Sequence, residues 1–299
     1  MVEIPMKLQG IFPPIATSFD HEGNIYAAKI RHNVEKWNRT TLAGYVVCGS
    51  TGEGVMLTAE EKATIWGLVA QHAAADKLLI AGTAAESVRE TVCLANRAAS
   101  IGYKAAIVRT PHHYRAAMSR PETQLVYYRA VADQSRIPVI IDSCPQTTGI
   151  NISTETVARL AEHPNIMAID EGSDDLEKVK QMTREARTEF QVMAGSATTL
   201  WPSLAAGASG AILAYANAAP YSTIAIWEAY RTREEEAGQD WQSRIAQAAA
   251  LVTVKYGVPG LKHAMDLNGY YGGPPRLPLV PPPVEAKREI EEAFKDLAG

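Results

Sequence analysis

The sequence predicts an α/β protein, a (β/α)8 TIM barrel with a C-terminal helical extension. Short apolar, β-branched runs alternate with longer segments of helical period, the mark of a parallel sheet wrapped by helices. Eight such runs occur, as many as the barrel requires, whereas an open doubly wound sheet usually has fewer. With 299 residues, 46% of them hydrophobic, the chain can bury a large core as one unit.

In chain order the runs are GIFPPIAT (10–17), AGYVVCG (43–49), LLIAGT (78–83), AAIVRT (105–110), PVIID (138–142), IMAID (166–170), FQVMAG (190–195) and GAILAY (210–215). Helix starts lie between them. Thr58 precedes AEEKATIWGLVAQHAA with Glu61 placed for a capping box, and Ser87 and Ser153 head the next two such segments. The pattern divides the chain into a barrel over residues 1–221 and C-terminal helices over 222–299, packed as one structural unit. Within the second part, helical period covers 222–256, 259–267 and 284–297. The stretch GGPPRLPLVPPP (272–283) reads as a proline-stiffened crossing to the last helix, in preference to an SH3 ligand.

Composition narrows the partners. A formal net charge of −4 with scattered basic residues is no footprint for nucleic acid or an anionic membrane. Cys48, Cys93 and Cys144 lie far apart without a CxxC pair, so neither a disulfide framework nor a zinc-thiolate site is expected. A reducing cytoplasm and no cofactor follow as expectations. The N-terminal segment has no apolar h-region, and no long apolar run suggests a membrane span. The expected partner is a small-molecule carboxylate or another copy of the chain.

In such a barrel, chemistry sits at the C-terminal ends of strands and in the loops after them, because the interior is packed solid. GSTGEG (49–54) offers small residues, two hydroxyls and backbone N–H groups at a tight turn, suited to a carboxylate or simply to a glycine-dependent turn. No lysine follows its glycines, so it is not a phosphate loop. In GSATT (195–199), Ser196 reads as a helix N-cap. His112 and His113 are adjacent and should diverge, and Cys144 has no evident base beside it.

Several motifs in one order carry a family resemblance. They are PxxTxF (Pro14, Thr17, Phe19), GSTGE (49–53), IAGT (80–83), the TP turn (110–111), PVII with Pro145, Thr148 and Gly149, and NISTETVARLAEHPNI (151–166). From residue 10 to about 275 the chain resembles the dihydrodipicolinate synthase and N-acetylneuraminate lyase family of pyruvate-handling aldolases. TPHHYRAAMSRPE further resembles its 4-hydroxy-2-oxoglutarate aldolase branch. The resemblance implies substrate contacts at Ser50, Thr51, Gly195 and Ile212, and self-association as a dimer or homotetramer.

It also implies a Schiff-base lysine at the end of strand 6, a tyrosine proton shuttle at the end of strand 5 and an arginine in the next turn. This sequence has Asp170, Asp142 and Thr147 there. Lysines between strands 4 and 8 are Lys104, Lys178 and Lys180, all placed away from the mouth. No Schiff base is therefore expected, and Asp142 and Asp170 become the candidate catalytic pair.

Two facing carboxylates repel unless something intervenes. They can share a proton as an acid/base pair, bind a metal with Glu171, His112 or His113, or be neutralised by Arg109, whose charge is unusual in a barrel strand. Three functions follow: a lyase acting on or binding a small 2-oxo acid without amine chemistry, an inactive metabolite-binding or interaction barrel, or a metal-dependent aldolase or hydratase.

Overall fold

The computed structural model describes residues 6–297. Eight parallel strands form a closed ring: β1 (Ile11–Phe12 and Pro14–Ile15), β2 (Gly44–Val47), β3 (Leu78–Gly82), β4 (Ala105–Arg109), β5 (Val139–Ser143), β6 (Ile166–Glu171), β7 (Gln191–Ala194) and β8 (Gly210–Ile212). Where the sequence suggests one continuous first strand, β1 breaks at Pro13. Its first half pairs with β8 (Ile11↔Ala211) and its second with β2 (Pro14↔Val46). Neither Pro13 nor Pro14 has an N–H to donate to a ladder, so the strand bends there and closes the ring. β8 is likewise shorter than the 210–215 run, giving way to a 3-10 turn over Ala214–Asn217.

Strand alternation divides the core in two. Phe12, Val46, Ile80, Ile107, Ile140 and Met193 fill the barrel interior as one apolar cluster. Outward residues such as Val47, Val108 and Ile141 join a larger cluster with the surrounding helices. The caps form as their residues require. Thr58 and Glu61 make a reciprocal capping box on Ala59–His72, Ser87 accepts from Glu90 N–H, and Ser153 accepts from Thr156 N–H. Among the described residues no helix is long and apolar enough to cross a membrane.

The extension comprises Pro220–Thr232, Glu235–Ala250 running on into a π-helical turn at Leu251–Lys255, Gly257–Leu267 and Val284–Phe294. The single helical pattern over 222–256 is thus two helices, because Arg233 takes a left-handed conformation (φ 63°) and turns the chain. The proline-rich crossing is pinned to the barrel by Arg276. Its guanidinium grips Glu61 with two bonds (2.6 and 3.0 Å), donates to the Gly23 carbonyl (2.7 Å) and lies 4.4 Å over the Phe19 ring.

A buried ion pair joins the extension to the turn after β2. Lys262 Nζ lies 2.6 Å from Glu53 Oε1, the two side chains being 1% and 0% exposed, and Glu53 also accepts from Arg276 N–H at 2.8 Å. Removing one member leaves the other charged and dry. Lys262→Met should therefore lower unfolding free energy by about 3–5 kcal/mol. Glu53→Gln/Lys262→Met together should cost less than the single change. Urea titrations of the three proteins measure this, and a loss near zero for the single variant would show that the pair carries no such weight.

Candidate active site

Period-two alternation turns each inward column of side chains from apolar to charged as it reaches the C-terminal rim. On β4 the inward column ends in Arg109, on β5 in Asp142 and on β6 in Asp170. Pairing sets them side by side: Arg109 is in register with Asp142, Asp142 with Asp170, and Asp170 with Met193. Asp142 and Asp170 line a cavity of ≈ 490 Å³, a volume suited to a small ligand, while Arg109 lines a smaller pocket beside it.

Around that cavity stand four other residues singled out by resemblance: Ser50, Thr51, Gly195 and Ile212. The turn bearing Ser50 and Thr51 is bounded by two non-glycine residues in left-handed backbone, Cys48 (φ 63°) and Glu53 (φ 58°). Such strain persists only where surroundings enforce it, here through the Lys262 pair and the Thr17 hydroxyl donating to the Gly52 carbonyl at 2.6 Å. Among the described residues, the N–H groups of Ser50 and Thr51 donate to no backbone acceptor. Gly195 makes room for the aspartate: a Cβ there would lie 2.8 Å from Asp170 Oδ1.

The far wall comes from Val252, Thr253 and Val254 in the π-helical turn, with Gly257, Val258 and Leu261 after it. Sequence reasoning assigned none of these to the site. A β-branched run, LVTV, inside a helical pattern was the only local signal.

Burial sets the protonation of the pair. It pushes the Asp170 carboxyl well above the usual carboxylate range, and repulsion from Asp142 and Glu171 adds to the rise. Asp170 Oδ1 has no hydrogen-bond partner among the described residues. The Asp142 carboxyl is also raised by burial, but the Arg109 charge opposes the rise. The two carboxyls are thus held apart in acidity, with Asp170 the better proton holder.

Arg109 points inward, yet the salt bridge expected from that orientation does not form. Its Nη1 donates to Ser50 Oγ at 3.0 Å, and no aspartate lies within ion-pair distance. The guanidinium reaches across to the turn after β2, so it acts on Asp142 through its field alone.

The five groups considered as a metal shell do not converge. Glu171 alternates to the outer face of β6, where it pairs with Lys178 (2.7 Å) and accepts from Ser143 (3.0 Å) and Ser173 N–H (2.9 Å). His112 and His113 are drawn to Glu86: both backbone N–H groups donate to it, and His112 Nδ1 lies 3.2 Å away. Among the described residues no cluster of three potential ligands occurs. Ser196 is not an N-cap either. The helix begins at Leu200 after Thr199, and Ser196 instead bonds Thr198 at 2.7 Å. The Cys144 thiol, on the cavity wall, is pushed up by burial.

Fold and site together define a class: a parallel (β/α)8 barrel with a carboxylate-bearing mouth cavity closed on one side by C-terminal helices. The Dihydrodipicolinate synthetase family matches residues 7–297, and the chain belongs to that family. It is 32% identical over 297 residues to a 4-hydroxy-tetrahydrodipicolinate synthase of Methanothrix thermoacetophila, covering 97% of this chain and 98% of that protein. It is 31% identical over 293 residues to a probable mitochondrial 4-hydroxy-2-oxoglutarate aldolase of Emericella nidulans, covering 96% and 94%. In fold it is similar to a dihydrodipicolinate synthase of Bacillus anthracis (TM-score 0.91, 24% identity, 96% and 97% covered). A family protein of Coccidioides immitis is similarly close (TM-score 0.89, 24% identity, 99% and 97% covered).

A carboxyl whose folded pKa exceeds its unfolded value binds its proton more tightly in the native state. It therefore favours folding most below the unfolded pKa and progressively costs stability as pH rises toward the folded pKa. For Asp170 that window opens near the ordinary aspartate value of 3.8 and extends upward. Asp170→Asn should thus raise Tm at neutral pH, by an amount that shrinks steadily as pH is lowered toward 4. Calorimetry of both proteins across pH checks it; a pH-independent difference would contradict the assigned protonation.

Proposed function

We propose that this protein is a lyase of its family that acts on a small 2-oxo acid or related carboxylate, using Asp142 and Asp170 in place of amine chemistry. The observation that carries the reading is the in-register pair of inward carboxylates on β5 and β6, both raised by burial, with the Arg109 charge opposing the rise at Asp142 alone. Relatives named as a 4-hydroxy-tetrahydrodipicolinate synthase and a probable 4-hydroxy-2-oxoglutarate aldolase support the substrate class.

The substrate carboxylate is held at the Ser50–Thr51 turn, in the cavity that the two aspartates share with it. Asp170, protonated, donates to the 2-oxo oxygen, while Asp142, ionised by the nearby Arg109, removes a proton from C3. The C–H electron pair becomes the C=C bond of the enol, and the carbonyl π pair takes the Asp170 proton. Asp142 ends neutral and Asp170 ionised, so charge is conserved. The enol carbon is then a nucleophile for carbon–carbon bond formation, and the reverse sequence cleaves such a bond. Self-association belongs to the same proposal.

Two measurements test the reading. Borohydride added with pyruvate should leave the protein mass unchanged; a pyruvyl adduct on any lysine would overturn the absence of a Schiff base. In D2O, NMR should show exchange of the C3 protons of 2-oxobutyrate, slowed about 10²–10⁴-fold in both Asp142→Asn and Asp170→Asn. Ligand binding without exchange in the unaltered protein would transfer the assignment to a metabolite-binding barrel.

A further inference from the structure

Behind the 49–54 turn lies a second, much smaller chamber of ≈ 20 Å³, enough for one compact occupant. Gly49, Ser50, Ile107 and Asp142 belong to both walls, so the chamber adjoins the main cavity. It stays small because strand and turn approach closely: a Cβ on Gly82 would collide with the Cys48 carbonyl.

Two cations line it. Lys62, from the helix Ala59–His72, is 6% exposed, and Arg109 is 7% exposed. Arg109 spends one nitrogen on Ser50, and its Nε has no acceptor. Among the described residues the Lys62 ammonium makes no side-chain hydrogen bond. Among the described residues, neither has a carboxylate within ion-pair distance.

The remaining groups around the chamber offset these charges only in part. Cys48 is buried, which raises its thiol far above the usual range and keeps it neutral. Asp142, on the wall shared with the main cavity, can offset one of the two cations and leaves the other without a counter-charge. Glu90 acts on Lys62 only from the exposed face of the next helix. Burial above all, with repulsion from Arg109 added, presses the Lys62 ammonium downward, so an anion beside it would restore its charge. Buried charge left without a partner is expensive, and two like charges beside an adjoining void call for an anion between them.

We propose that this chamber is an anion subsite taking one compact anionic group, held by Lys62 and Arg109. The group has two possible sources of the same chemistry: a free halide, or the carboxylate end of a ligand in the adjoining cavity. Neither source depends on which reaction the aspartates perform.

Crystals of the full chain soaked in bromide should show an anomalous peak between Lys62 Nζ and Arg109 Nε, absent from Lys62→Met crystals. In solution, chloride should raise Tm relative to gluconate at equal ionic strength, and Lys62→Met should abolish that difference. Titration with 2-oxobutyrate distinguishes the sources. If its carboxylate uses the subsite, chloride competes and Lys62→Met weakens binding at least about tenfold. If the anion is free, chloride and the oxo acid bind together, and the subsite stands in either case. Absence of both the bromide peak and the chloride-specific Tm rise would overturn the proposal and leave water as the occupant. A bromide peak in a protein that binds no oxo acid would retain the subsite while removing the oxo-acid reading.

Discussion

A carboxylate and an ammonium withdrawn from water, Glu53 and Lys262, hold the turn after β2 against the C-terminal helices. Burial presses the Lys262 ammonium toward neutrality, and the charge of Glu53 is what opposes it. Neither charge is tolerable there alone, so the two segments must meet. Their meeting fixes the left-handed backbone of Glu53 and brings the π-helical turn at Leu251–Lys255 over the barrel mouth. An open rim becomes a cavity with a wall.

Within that cavity the barrel imposes its own economy on charge. Inward columns on neighbouring strands reach the rim at the same height, so Arg109, Asp142 and Asp170 stand in consecutive register. Two carboxyls in one desolvated place cannot ionise alike. Arg109 breaks the symmetry from one side: its field opposes the rise at Asp142, and Asp170, farther round the ring, is raised without that opposition. The asymmetry arises from position on the sheet, since the residues are chemically identical. It leaves the two carboxyls unlike in acidity at the positions where the family resemblance leads one to expect a lysine and a tyrosine.

The same geometry explains why Arg109 makes no salt bridge. Its guanidinium is long enough to cross to Ser50, and the bond there aims it at the turn after β2 and away from the aspartates. The bond ties β4 to the turn after β2 and places a cation on the wall of the smaller chamber. Lys62 approaches the smaller one from a helix that begins beyond that turn, so residues remote in sequence share one electrostatic environment.

Much of this was legible in the sequence. Strand period, caps at Thr58, Ser87 and Ser153, and the position of Asp142 and Asp170 at strand ends depend on local pattern and on a fixed rule of barrel architecture. Those signals survive in one dimension because backbone hydrogen bonding and side-chain alternation repeat over a few residues. The break of β1 at Pro13, the partner of Arg109, the outward turn of Glu171 to Lys178, the Glu86 hold on His112 and His113, and the wall at Val252–Val254 were not. Apart from the proline break in β1, which is local, each is decided by which group from another segment meets a charge or an unsatisfied bond. The sequence by itself determined the barrel and put two aspartates at its mouth. Tertiary structure decided which of them binds its proton more tightly, because desolvation and field depend on neighbours that only folding assembles.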